Sequence, residues 1–196
     1  MNFSDTFTIV FARFLIFFAM CQHILNFMKN FLLSLRCLVA GVFFVFIANL
    51  AGCDGAIKKV PSVELMTITG EKLDPASFQG KVTLVNFWAT SCVTCVKEMP
   101  MLVDTYKKFA SKGYQTVAVA MYYDPPNYVL NFVETRNIPF KVALDPKGQI
   151  AKAWNDTKIT PTSYLVNKRG EIIKRYVGEP EPAELQAVIE KLLAET

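Results

Sequence analysis

The sequence predicts an α/β domain, a central mixed β-sheet flanked by helices, preceded by an apolar N-terminal region. Three observations predict it. Apolar residues make up 52% of the 196-residue chain, yet the excess is concentrated before Cys53. The 144 residues from Cys53 onward suit one domain with a real core. Within them strand-like and helix-like segments alternate, and the chain closes with a hairpin and an amphipathic helix. That order fits a sheet of mixed direction covered by helices.

The first element is the apolar region, residues 1–52. It holds two segments, Phe7 to Phe27 and Phe31 to Leu50, parted by Met28-Lys29-Asn30. Lys29 and Arg36 precede the apolar stretch from Cys37 to Leu50, the layout of a secretory signal. The stretch ends in Leu50-Ala51-Gly52-Cys53, which resembles the lipobox of bacterial lipoproteins, with Cys53 as the lipidated residue. Asp54 resembles the residue that retains such proteins in the inner membrane. The alternative is an uncleaved helix, since either segment approaches the length of a span. Both readings place the domain on the periplasmic side of the inner membrane. Met28 is a second plausible start, which would make residues 1–27 an over-extended frame.

Residues 53–60 are expected to be a linker and 61–196 the folded domain. Val63 to Thr69 alternates as a strand and turns at Gly70-Glu71. Leu73 to Gly80 reads as a loop with one helical turn, capped by Asp74 ahead of Pro75. Lys81 to Trp88 is a buried strand. Cys92 to Lys112 reads as a helix, because Val96, Met99, Leu102, Val103, Tyr106 and Phe109 recur at three and four residues. Pro100 should kink this helix without ending it, and Gly113 should end it. Tyr114 to Met121 is a second buried strand, Tyr122 to Pro126 a loop, and Asn127 to Arg136 a helix. A strand at Phe140 to Leu144 leads into the turn Asp145-Pro146-Lys147-Gly148 and a helical turn at Ile150 to Trp154. Ser163 to Asn167 and Ile172 to Val177 form a hairpin about Lys168 to Glu171, and Pro182 to Glu195 is the closing helix.

Composition narrows the chemistry. From Cys53 onward 18 Lys and Arg face 16 Asp and Glu, without a basic block, so nucleic acid is not an expected partner. The only histidine, His23, lies in the apolar region. The folded part therefore has neither a Cys-His hydrolase dyad nor a histidine-containing zinc or copper site. What it has is Cys92 and Cys95, two residues apart where a strand meets a helix. Unpaired N–H groups and the positive end of the helix dipole stabilise a thiolate at the first cysteine. The second lies close enough to close a disulfide on it. A tetrahedral four-cysteine zinc site needs a second pair, which is missing, and so short a loop makes a poor structural staple. No metal or small-molecule cofactor is expected.

Gly80-Lys81, Asn86-Phe87-Trp88-Ala89-Thr90, Cys92 with Cys95, Glu98 with Pro100, and Thr160-Pro161-Thr162 occur in that order. In these pieces the chain resembles the thioredoxin superfamily, and within it the membrane-tethered TlpA/ResA thiol-disulfide oxidoreductases, from about Val60 to the C-terminus. The resemblance implies a thioredoxin-like fold and a role for each matched residue. Cys92 would attack a partner disulfide and Cys95 would resolve the mixed disulfide. Glu98, one turn beyond Cys95, would carry a proton. Pro161 would be a cis-proline facing the pair, with the Thr160 backbone offering strand-like hydrogen bonds to a client. Trp88, grouped with Thr160 and Pro161 on the substrate-binding side, reads as core and active-site wall more than as a ligand contact. Tyr122 and Tyr123, near Pro125-Pro126, border the groove or form a plain loop.

Two departures from the pattern stand out. Ser91 replaces the usual tryptophan before the first cysteine, and Thr94 replaces the usual proline or histidine between the two. The uncharged Val93-Thr94 pair adds no cation to stabilise the thiolate, which favours a reductant over a strong oxidant. Asn86 replaces a buried aspartate of cytosolic thioredoxins, leaving Glu98 as the expected sole buried acid. The resemblance further implies protein disulfide clients and a transmembrane thiol donor of the DsbD/CcdA type. The tasks seen in the group are cytochrome c maturation, oxidase copper-site assembly and thiol repair. Disulfide oxidase or isomerase activity, and copper(I) carriage on the two thiols, remain open from the residues.

Overall fold

A computed structural model describes residues 59–195. The apolar segments, Cys53 and all but the end of the expected linker lie outside the described residues. Among the described residues, no helix is long and apolar enough to cross a membrane.

The strands are β1 (Leu65–Thr67), β2 (Lys72–Leu73), β3 (Val82–Trp88), β4 (Tyr114–Ala120), β5 (Lys141–Leu144), β6 (Thr162–Val166) and β7 (Ile172–Val177). The helices are α1 (Val93–Phe109), α2 (Pro126–Thr135), α3 (Gln149–Ala153) and α4 (Pro182–Ala194), with 3-10 turns at Pro75–Phe78 and Ala110–Lys112. One sheet takes the order β2-β1-β5-β4-β3-β6-β7. β4 runs parallel to β3 and β5, and β6 runs antiparallel to β3 and β7, so the expected mixed direction holds.

Every residue of β3, β4 and β6 is buried, because helices cover both faces of the sheet. Alternation along β3 divides the core in two. Val82, Leu84 and Trp88 meet Met99, Leu102 and Phe109 of α1 and Leu185 and Ile189 of α4. Val85 and Phe87 join Phe78, Ile150 and Trp154 on the other face. Asn86, even-numbered on that strand, must face α1.

Three boundaries differ from expectation. The chain already pairs with the hairpin ahead of residue 61, through a bridge between Lys59 and Glu171 and the bond from Val60 N–H to the Gly170 carbonyl (2.9 Å). Leu73, expected to open a loop, pairs with Leu65 as part of β2, a strand too short to show a period. The first strand shrinks to three residues. Elsewhere the punctuation works as read: α1 continues through Pro100, and Gly113 (φ 93°) closes the following 3-10 turn in a left-handed conformation.

Candidate active site

Cys92 is the N-cap of α1. Its backbone is extended (φ −88°, ψ 105°) and its Sγ accepts from the Cys95 N–H at 3.2 Å. The turn before it closes through the Cys92 N–H to the Ala89 carbonyl (3.1 Å). Cys92 is half-buried, while Cys95, one helical turn in, is 1% exposed. A disulfide joins them, with Cα atoms 5.2 Å apart. The geometry sorts the two sulfurs by access: only Cys92 lies within reach of an incoming thiol or disulfide. Ser91, Val93 and Thr94 around it are all exposed and uncharged.

Beneath the pair, α1 carries Glu98 onto the sheet, where it is completely buried. One carboxylate oxygen accepts a long bond from Asn86 Nδ2 (3.4 Å), and the other has no partner among the described residues. Asn86 Nδ2 also donates to Ser163 Oγ at 2.9 Å. Burial pushes the Glu98 carboxyl from 4.5 up to about 7; the Asn86 bond opposes this and the negative charge of Glu179 adds to it. A group poised near neutrality one turn from Cys95 can take or return a proton at the working pH.

The expectation that Glu98 is the only buried acid is wrong. Asp124 and Asp145 are 5% and 2% exposed. Asp145 closes its turn and accepts from the N–H groups of Ile150 (3.1 Å) and Ala151 (2.8 Å), starting α3. Asp124 accepts from Thr90 instead, through the N–H (2.6 Å) and the hydroxyl (2.5 Å). Its signal is present in the residues: Asp-Pro occurs three times, at Asp74, Asp124 and Asp145, and at Asp74 and Asp145 it marks a cap or turn.

The third wall is the loop before β6. The Thr160–Pro161 peptide is cis, as the resemblance implied. Pro161 is buried, and its carbonyl accepts from the Gly178 N–H (2.8 Å). Thr160 is half-buried, and its hydroxyl meets the Tyr123 hydroxyl at 3.3 Å. The Tyr122 and Tyr123 rings stand edge to face, centroids 5.3 Å apart, and both are exposed, as is Ile159. Trp88, expected as core and active-site wall and grouped with the substrate-binding residues, lies in the core. It is fully buried, packed on Phe132 at 5.0 Å, and offers a client no surface; it supports the cysteine turn from inside the core. Among the described residues there is no cluster of three or more metal-ligating side chains.

A half-buried cysteine at a helix N-cap, disulfide-bonded to a buried one, and a cis-proline define a thiol-disulfide oxidoreductase of thioredoxin-like fold. The chain belongs to the Redoxin family, whose model matches residues 56–191. It is 33% identical over 136 residues to the thiol-disulfide oxidoreductase ResA of Bacillus thuringiensis, covering 69% of this chain and 77% of that protein. It is 34% identical over 122 residues to sporulation thiol-disulfide oxidoreductase A of Bacillus subtilis, covering 61% and 73%. The solution structure of a candidate thioredoxin from Neisseria meningitidis superposes with a TM-score of 0.67 at 38% identity, covering 71% of this chain and 93% of that one.

Proposed function

We propose that this oxidoreductase is tethered to the periplasmic side of the inner membrane, through lipidated Cys53 or an N-terminal helix, and reduces disulfides in protein clients. The observation that carries the reducing direction is the composition of the exposed active-site turn. Ser91, Val93 and Thr94 place no cation beside Cys92, so its thiolate is favoured by the helix N-terminus and the Thr94 hydroxyl (3.5 Å from Sγ) without an opposite full charge. Reduced thiols stabilised this weakly make a poor oxidant.

In the reaction, the Cys92 thiolate attacks one sulfur of the client disulfide. A mixed disulfide forms and one client thiolate leaves. Glu98 takes the proton of Cys95, whose thiolate then attacks Cys92 Sγ, releasing the second client thiolate. Two electrons pass to the client, and the Cys92–Cys95 disulfide remains. A membrane thiol carrier of the DsbD/CcdA type would supply the electrons that reset it. The exposed Tyr123, joined to Thr160 (3.3 Å), and the exposed chain neighbours of the two, Tyr122 and Ile159, would offer a client apolar surface, and the Thr160 backbone would supply main-chain hydrogen bonds to an extended client segment.

The test is the equilibrium reduction potential of the full chain in detergent, set against glutathione or dithiothreitol buffers. A value well below about −200 mV supports a reductase; a value near the roughly −120 mV of a strong oxidant overturns it. The tether is tested separately by membrane fractionation of wild type and Cys53→Ser.

A further inference from the structure

Asp124 does what neither other Asp-Pro aspartate does. Asp74 bonds the backbone N–H three residues on, and Asp145 those five and six residues on. Asp124 precedes Pro125 and helix α2 in the same way, yet α2 has Pro125 as its N-cap and no side-chain capping bond. Both Asp124 oxygens turn instead to Thr90, 34 residues away in the chain. An almost fully buried carboxylate is thus committed to one residue, two positions before Cys92.

The chain is arranged to make that bond. The Met121 N–H donates to the Trp88 carbonyl (3.0 Å), carrying the β3–β4 pairing up to the site, and the Asp124 N–H then turns back onto the Met121 carbonyl (2.9 Å). Asp124 so arrives beside Thr90 at the point where β3 gives way to the cysteine turn. Its neighbour Tyr123 reaches Thr160 on the opposite wall. Bonds from a carboxylate to an N–H and a hydroxyl are charge-assisted and short, and they leave the Thr90 peptide little freedom.

We propose that Asp124 is a positioning residue of the redox centre: by fixing Thr90 it sets the turn that presents Cys92 Sγ to an incoming sulfur. The assignment rests on the dithiol chemistry of the family and holds whichever way electrons flow, so a failed reduction-potential test of the reductase reading leaves it standing.

The experiment measures how fast the reduced full chain attacks an aromatic disulfide probe, at pH values spanning the Cys92 titration and well below each variant's unfolding temperature. Asp124→Ala should slow the attack about tenfold, since small misplacements of a reacting group carry costs of this order. Asp124→Asn should stay within about twofold, because its carbonyl accepts from the Thr90 N–H and its amide donates to the Thr90 hydroxyl. Thr90→Val, which keeps the N–H and loses the hydroxyl, should fall between. An Asp124→Ala protein that reacts within about twofold of wild type overturns the proposal, as does an Asp124→Asn protein as slow as Asp124→Ala. Where Asp124→Ala does not fold, a wild-type rate in Thr90→Val is enough to overturn it.

Discussion

Asp145 and Glu98 are carboxylates set against opposite faces of one sheet, and both are out of reach of water. Asp145 has two backbone N–H groups to receive its charge, both from the helix it starts. Glu98 has one long bond from an amide and an oxygen with nothing to accept from. The first environment ties the carboxylate to the start of a helix and makes a structural bracket. The second raises the carboxyl to about 7, which suits the proton carrier proposed for the exchange. Burial alone therefore says little about what a carboxylate does; the donors around it decide.

The comparison breaks most visibly at Glu98. Glu98→Gln should slow turnover by about 100-fold, the lower end of what a positioned acid–base group contributes. In the same variant the limb of the pH–rate profile near 7 should vanish. Insulin reduction driven by dithiothreitol, followed from pH 5 to 9, measures both; a variant with wild-type rate and profile would remove Glu98 from the mechanism.

A stability effect comes next. Glu98 titrates near 7 in the folded protein and near 4.5 in the unfolded chain. The folded state therefore holds a proton that the unfolded chain releases in between. Its contribution to stability is complete below about pH 4.5 and is lost as pH rises through about 7, by up to about 3 kcal/mol. Urea unfolding of the oxidised protein across this window should show a fall in wild type that Glu98→Gln lacks.

Asp145→Ala should do the reverse of Glu98→Gln, costing about 2 kcal/mol of stability through two stranded N–H groups. Its turnover per folded molecule should match wild type, and a turnover defect without a stability loss would erase the distinction. The smallest effect is at Glu179, whose charge adds to the raised Glu98 carboxyl and whose partner is Lys97 at 3.6 Å. Glu179→Gln should lower the midpoint of the Glu98 limb, by less than burial raises it. An upward shift would show that Lys97, once released, governs the site.

Most of the architecture was legible because it is written in local pattern. The run Val82–Trp88, the three-and-four spacing through Phe109 and the stop at Gly113 each rest on residues that touch neighbours in the chain. Cys92 and Cys95 were legible for the same reason: a two-residue gap at a strand–helix junction already implies a capped helix and closable sulfurs. β2 escaped because two residues carry no period. Trp88 was legible as core because it ends the buried run of its own strand.

What the sequence by itself determined, then, is the α/β order, the dithiol and the identity of the acid one turn beyond it. What only the tertiary structure decided is which groups stand around that acid and around the cysteine turn. Asn86 reaches Ser163 across 77 residues and Thr90 reaches Asp124 across 34. The physical reason is range: helix and strand periods act over a few residues. The charge state of Glu98 and the aim of Cys92 depend on donors and dielectric that exist only once distant strands have packed.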